Sequence, residues 1–179
     1  ENELAYRVAT QTTWPSFGYW LKNDATTLLE KWSGENSHNH QMFGSITEYF
    51  YKFLAGIQSP MEGNTTKGYK NIYIAPYIPQ GLDFVNASLE TVAGKVASNW
   101  KKETDIFTHD IIIPANSSST VALPLLGFND VVVYEGEEII WDKNKYVEGV
   151  NGIKGAEIEK NRLLIKIGSG AYQFRVENK

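Results

Sequence analysis

The sequence predicts an α+β protein with segregated halves, in which an N-terminal helical half is followed by an antiparallel β-sandwich or barrel. Before about residue 58, apolar residues recur at three- and four-residue steps, the period of a helix that buries one face. After residue 68 the period shortens to two or the runs become β-branched, and no helical stretch intervenes. A parallel α/β sheet is therefore disfavoured.

Three helices are expected in the first half, over residues 1–10, 15–22 and about 39–55. The longest has the clearest period, carried by Phe43, Ile46, Phe50, Phe53, Leu54 and Ile57. Pro15 would occupy the first helical position of the second helix, where its missing N–H costs no bond.

The connecting residues have simpler expected roles. Ser37 or Asn39 would cap the long helix, and Asp24 would lie in a turn or a cap. Residues 58–68 are polar, with one Pro and two Gly, and read as a linker.

Eight strands are expected in the second half, separated by turn residues at the spacing of an antiparallel sandwich or barrel. They are Ile72–Ile74, Val92–Trp100, Ile106–Ile113, Thr120–Leu123, Val131–Tyr134, Glu138–Trp141, Leu163–Ile167 and Tyr172–Val176.

The helical half carries more aromatic surface than two or three helices can bury among themselves, since each ring hides roughly 150–250 Å² when buried. These rings should pack on the β half, on helices outside this chain or on a second copy, or remain exposed. Trp14, Trp20 and Trp32 are expected in a core, as are Trp100 and Trp141 in their strands.

Composition excludes several function classes. The 179 residues include 17 basic and 21 acidic side chains, a net charge of −4, which argues against nucleic-acid binding. Cysteine is absent, so neither a disulfide framework nor a thiolate metal site is possible. No apolar run reaches the roughly 18–20 residues of a membrane span. Phosphate-loop, zincin and serine-hydrolase motifs are also missing.

The densest polar segment, residues 23–40, combines carboxylates, histidines, amides and aromatic rings. Rings can stack on the C–H faces of a sugar while the polar groups bind its hydroxyls, and glycosidases add a pair of carboxyl groups. The segment therefore indicates a sugar site.

Simpler interpretations stand beside this one. Glu30 could form an ordinary ion pair with Lys31, and Glu35 could favour the N-terminal dipole of the long helix. His38 and His40 have a spacing that some metal sites use, but no further ligand set stands nearby, and His109 lies in a strand region. Ordinary hydrogen-bonded histidines or ligand contacts are favoured over a metal.

Several blocks together resemble the end of the bacterial α-L-rhamnosidase catalytic domain. They are Trp14–Gly18, Ala25–Trp32 and Ser37–Gly44, and the likeness continues through Gly68–Lys70, Ile72–Pro76, Gly94–Trp100 and Pro114–Asn116 into that family's C-terminal domain. The resemblance covers residues from about 13 to 124.

The resemblance implies a helical remnant of an (α/α)6 barrel over residues 1–58, a linker over 59–68 and a C-terminal β-sandwich over 69–179. It also implies an inverting hydrolysis that releases terminal α-L-rhamnose, with Glu30 as general base. His40 would contact the sugar, and Trp32 and His38 are further candidate substrate-binding residues. Inversion requires a second carboxyl group about 6.5–9.5 Å from the base.

That second group, the general acid, lies far upstream in family members, so these 179 residues alone are expected to be inactive. The expected partners are a rhamnose-containing oligosaccharide or glycoside and the upstream catalytic region of the same polypeptide, with no cofactor, metal, nucleic acid or membrane span. Asp24, Leu29 and Lys31 depart from the residues common in the family, and they bear on substrate fit.

A second hypothesis is a non-catalytic carbohydrate-binding module, with Tyr73, Tyr77 or Tyr134 of the β half as platforms. A third is that the β half only packs against the barrel and stabilises it. The structural role is favoured over binding, because no row of aromatic residues stands out at the spacing of one strand face.

Overall fold

The computed structural model describes residues 1–58, 68–128 and 130–179, and it divides into two compact units. Unit 1 contains residues 1–50 and 79–81, and unit 2 contains residues 51–78 and 82–179. The predicted linker lies almost wholly outside the described residues. Within the described residues, no helix is long and apolar enough to cross a membrane.

Helices form the regular structure of unit 1. Helix α1 spans Asn2–Thr10 and helix α2 spans Phe17–Lys22, close to their predicted positions. Ser16 caps α2 by accepting a hydrogen bond from the Tyr19 N–H at 2.9 Å. The expectation that Pro15 opens this helix is wrong, because the capping hydroxyl of Ser16 places the first helical residue at Phe17.

The predicted long helix is helical but changes its winding twice. A 3₁₀ segment, Gln41–Ser45, leads into helix α3, Ile46–Tyr49, and a π-helical segment, Phe50–Leu54, follows. Neither Ser37 nor Asn39 caps it: His40 holds the capping position without a side-chain bond, and the Ser37 hydroxyl instead accepts from the Asn39 N–H.

Unit 2 is a sandwich of two sheets whose described residues contribute twelve strands. They are β1 Ile57–Gln58, β2 Asn71–Ile74, β3 Phe84–Thr91, β4 Gly94–Lys102, β5 Ile106–Ile113, β6 Ser118–Pro124, β7 Val131–Glu135, β8 Glu138–Asp142, β9 Lys145–Tyr146, β10 Ile153–Glu159, β11 Arg162–Ile167 and β12 Gly170–Asn178.

The five-stranded sheet has the order β1-β2-β6-β11-β10, and the seven-stranded sheet has the order β3-β4-β5-β12-β7-β8-β9. The sequence predicted antiparallel pairing throughout, but one pair differs, because β2 pairs parallel with β6. These two strands are far apart in sequence, so the chain can enter the second from the same end. The other described pairings are antiparallel.

All eight predicted strands are confirmed to within two residues at their ends. The strand predicted at Val92–Trp100 begins at Gly94, because the residues before it form a turn. Val92 is 93% exposed in the turn between β3 and β4. The Thr91 hydroxyl donates to the Gly94 carbonyl at 2.7 Å and accepts from the Ala93 N–H at 3.1 Å. This local bonding ends the strand and starts a new one.

The core of unit 2 lies between the two sheets, where alternate residues of each strand meet. It includes Ile74, Val121, Leu163, Ile165, Trp100, Phe107, Ile111, Val133, Phe174 and Val176. Trp100 and Trp141 are buried as predicted, and so is Trp20 in unit 1. Trp14 is 60% exposed, so its predicted core position is wrong.

Candidate active site

The polar segment of unit 1 folds into a loop whose two arms lie side by side. The Glu30 N–H donates to the Ser37 carbonyl and the His40 N–H donates to the Leu28 carbonyl, both at 2.9 Å. Gly34, with φ +82°, and Asn36, with φ +68°, lie where the chain reverses. The loop thus brings residue 30 next to residues 36–40.

Two N–H donors hold the Glu30 carboxylate. The Ser37 backbone N–H lies 3.1 Å from Oε2, and the Asn36 side-chain amide lies 3.4 Å from Oε1. The Ser37 bond first, then the Asn36 bond and the nearby His40 and Lys31 charges, lower the pKa of Glu30 from its ordinary value. The carboxyl group is therefore ionised at neutral pH, the state that a general base requires.

His40 lies beside this carboxylate, with Nδ1 4.0 Å from Oε2 of Glu30. Both side chains are about one-third exposed, so a ligand or a water molecule can reach them. The structure thus brings together the predicted base and the predicted sugar-contacting histidine.

The two other candidate residues line a neighbouring hollow of about 370 Å³, which does not include Glu30. His38 Nε2 lies 2.8 Å from the Gly34 carbonyl, and the Thr27 hydroxyl donates to the His38 carbonyl. The ring of Trp32 packs against Trp20 and Phe43, with centroids 4.5 and 4.4 Å away. Roles for Trp32 and His38 in sugar binding remain predictions.

Neither of the two simpler roles predicted for the carboxylates of this loop is observed in the described residues. Lys31 pairs with Glu35 at 3.6 Å, four residues along the chain, and no Lys31–Glu30 ion pair occurs in the described part of the chain. Glu35 lies six residues before the first helical residue, so it cannot act on that helix's first turn. Asp24 occupies a turn as expected, with φ +61°.

Sequence reasoning missed Asn36 and Ser37 as partners of the carboxylate. Gly34 and Asn36 favour a tight reversal, and this could have indicated that residues following the turn fold back on Glu30. Within the described residues, no group of three or more histidine or carboxylate side chains could share a metal ion.

Two family models match this chain. Residues 1–54 match the bacterial alpha-L-rhamnosidase 6 hairpin glycosidase domain, and residues 56–137 match the bacterial alpha-L-rhamnosidase C-terminal domain. Both descriptions place the chain among glycoside hydrolase sequences.

The relatives agree with this class. An alpha-L-rhamnosidase of Formosa agariphila is 28% identical over 99% of this chain, and the match covers 19% of that protein. The structure of an alpha-L-rhamnosidase from Dictyoglumus thermophilum is 38% identical with a TM-score of 0.82, covering 98% of this chain and 19% of that one. The chain belongs to the bacterial α-L-rhamnosidase family.

A third comparison bears on the fold alone. The Streptomyces avermitilis alpha-L-rhamnosidase complexed with L-rhamnose has a TM-score of 0.74 at 24% identity, over 97% of this chain and 16% of that one. The chain spans about a fifth of the length of its relatives. Helices followed by a β-sandwich are thus the architecture shared with these structures.

Proposed function

We propose that these 179 residues supply the general base of an enzyme that releases terminal α-L-rhamnose from glycans or glycosides with inversion. The carboxylate of Glu30 carries this proposal, because two N–H donors favour its ionised form at a partly exposed position beside His40. The family assignment supports the choice of sugar, and the charge state of Glu30 supports its role as the base.

In this mechanism Glu30 accepts a proton from a water molecule while that water attacks the anomeric carbon. A protonated carboxyl group on the opposite face of the sugar gives its proton to the leaving oxygen. Because its pKa is lowered, Glu30 is ionised, as the first role requires, and it has no proton to give in the second role. We place the general acid in a region of the polypeptide other than these 179 residues.

His40 would contact a sugar hydroxyl near the base. Its Nδ1 lies on the side of Glu30 Oε2, so a hydroxyl bound by the histidine would also lie near the carboxylate. Such a contact would hold the anomeric carbon at a fixed distance from the water, which is worth a large part of the rate enhancement.

Replacing Glu30 by Gln tests the base in the full-length protein, with an aryl α-L-rhamnoside as substrate. We expect kcat to fall by about 10²–10⁴-fold, because the amide cannot accept the proton. Glu35→Gln is the matched control, since Glu35 is a 70% exposed carboxylate on the same loop, and it should leave kcat unchanged. An unaltered rate in Glu30→Gln would contradict the assignment.

The stereochemical outcome separates inversion from retention. NMR taken during the first turnovers should show β-L-rhamnose before mutarotation mixes the anomers, because water attacks from the face opposite to the leaving group. α-L-rhamnose as the first product would exclude the inverting mechanism. The 179 residues alone should give no turnover. Turnover by these residues that disappears in Glu30→Gln would contradict that expectation.

A further inference from the structure

Unit 2 has a groove on the outer face of its five-stranded sheet, remote in sequence from Glu30. In β2, Ile72 and Ile74 are buried, so Tyr73 between them points away from the core. Tyr73 pairs with Thr120, and Thr120 pairs with Lys166, so these three residues form a row across three strands.

Two hollows adjoin on this face and share Tyr73. One, of about 460 Å³, is also lined by Tyr77 and Arg162, and the other, of about 400 Å³, by Lys154 and Lys166. We call the two hollows together the outer groove. Tyr73 and Tyr77 were both candidate platforms for a sugar, and the structure brings them to one place.

Arg162 lines the outer groove with a partly buried guanidinium that has no carboxylate partner among the described residues. Its two terminal nitrogens donate to the carbonyls of Ala122 and Pro76, each at 2.8 Å. Within the described residues it has no carboxylate within 4.0 Å, although Glu159 is its cross-strand neighbour. A guanidinium has five N–H groups, so three remain beyond the two carbonyl bonds.

The groove carries more positive than negative charge in a chain whose net charge is −4. Arg162, Lys154, Lys160 and Lys166 line it together with Glu159, while Glu157 pairs with Lys166 at 3.5 Å. A partly buried guanidinium without a counter-ion is stabilised by an anionic ligand, and a planar carboxylate matches its geometry.

The third platform predicted from sequence, Tyr134, differs from the other two. The guanidinium of Arg175 covers its ring at 4.4 Å from the centroid, so this face of Tyr134 is occupied. The charged, aromatic-lined surface is therefore on the five-stranded sheet.

We propose that the outer groove binds an acidic oligosaccharide, with a hexuronic acid carboxylate at Arg162 and an adjacent sugar ring on Tyr73. A tyrosine ring can stack on the C–H face of a sugar, while Thr120 and Asn161 offer groups for its hydroxyls. The proposal rests on the proposed function for the ligand class, a glycan. It adds that the glycan is negatively charged and that it binds at a second site.

Calorimetry on the 179-residue chain tests the groove with two probes. One is an oligosaccharide in which rhamnose alternates with a hexuronic acid, and the other is the same oligosaccharide with its carboxyl groups reduced to alcohols. We expect the reduced form to bind at least about fivefold more weakly, the worth of one partly exposed charge contact. Raising the salt to about 200 mM should weaken the acidic probe alone.

Variants of exposed residues locate the binding. The double variant Lys154→Gln/Lys166→Gln should lower affinity for the acidic probe about fivefold. Lys95→Gln/Lys102→Gln removes the same charge from exposed positions on the other sheet and should leave affinity unchanged. Tyr73→Leu should weaken binding of both probes, whereas Tyr73→Phe keeps the ring and should not.

Arg162→Lys keeps the positive charge but loses the paired, planar N–H donors that match a carboxylate, so it should weaken binding of the acidic probe. Because Arg162 also donates hydrogen bonds to two backbone carbonyls, this variant could fail to fold. In that case the lysine double variant and the Tyr73 variants test the proposal. Equal affinity for the two probes, absence of binding, or a lysine double variant equal to its control would overturn the proposal. So would an acidic peptide that binds as tightly as the oligosaccharide.

The two sites can fail separately. Groove variants in the full-length protein should hydrolyse a neutral aryl α-L-rhamnoside at the normal rate, and Glu30→Gln should still bind the acidic probe. If the unaltered protein does not bind the acidic probe but loses its hydrolytic rate in Glu30→Gln, the groove alone is refuted. If it binds the probe but keeps its rate in Glu30→Gln, the proposed function alone is refuted.

Discussion

His109 is buried between the sheets of unit 2 with no exposed surface, and it is neutral there. Its Nε2 lies 2.8 Å from the Ser98 hydroxyl oxygen, while that hydroxyl donates to the Ala55 carbonyl at 2.6 Å. Nε2 therefore donates to Ser98, and Nδ1 carries no proton and has no partner. Burial lowers the pKa of His109 to about 3.

This residue should make stability depend on pH. The unfolded chain binds a proton at His109 below a pH of about 6.5 whereas the native chain does not, so the free energy of unfolding is highest above that pH. It should fall by up to about 1.4 kcal/mol per pH unit between roughly 6.5 and 3 from this residue.

Urea unfolding at several pH values measures this dependence. His109→Gln keeps a donor for Ser98 but cannot be protonated, so it should flatten the curve between about pH 6.5 and 4.5, above the range where carboxylates titrate. His38→Gln, at an exposed histidine of unit 1, is the matched control. An equal slope in the wild type and His109→Gln would show that His109 is not the group responsible.

At the scale of elements, one glycine permits the connection from the last helical segment into β1. Gly56 has φ +78°, and a Cβ there would overlap the backbone of Ala75 and Pro76. The Gly56 carbonyl accepts the Ala75 N–H at 2.9 Å, so the close approach is part of the β1–β2 pairing. A side chain at this position must displace one of the strands.

Gly56→Ala should lower the free energy of unfolding by about 3 kcal/mol or more, combining the left-handed backbone with overpacking. Gly127→Ala is the control, because Gly127 has nearly the same φ, +79°, but open space around a Cβ. It should cost only about 1–2 kcal/mol. Urea midpoints compare the two, and equal losses would mean that the overlap with β2 does not matter.

At the scale of the whole molecule, the two units differ in how much they bury. Of the described hydrophobic residues, Trp20 and Leu29 are the buried ones of unit 1, whereas the core of unit 2 has more than twenty. Helix α1 has no buried residue at all. Unit 1 as described therefore has little burial to offset the entropy of ordering its chain.

Hydrogen exchange should show this difference directly. We expect the amides of α1 and α2 to exchange much faster than those of β5 and β12, which lie inside the seven-stranded sheet. Val133→Ala, at a fully buried position, should speed exchange throughout unit 2, whereas Val8→Ala, 52% exposed in α1, should not. Slow exchange in α1 would contradict the expected order.

The pattern of side chains predicted most elements because each depends on a short repeat. β5 was predicted with its observed ends, since most of its residues are β-branched or aromatic and turn residues flank it. β3, an edge strand, was missed although Val85, Ala87 and Leu89 alternate with polar residues, and none of its residues is fully buried. The parallel pairing of β2 with β6 could not be predicted, because no local pattern encodes which strands meet.

The sequence by itself determined the family, the segregated halves and the candidate carboxylate Glu30, because these follow from local composition, period and motif. Only the tertiary structure decided which groups set the charge state of that carboxylate, since Ser37 and Asn36 reach it through a backbone reversal. It also placed Arg162 against Pro76, 86 residues away in sequence. Contacts of this kind arise from burial and strand pairing, which depend on the whole chain.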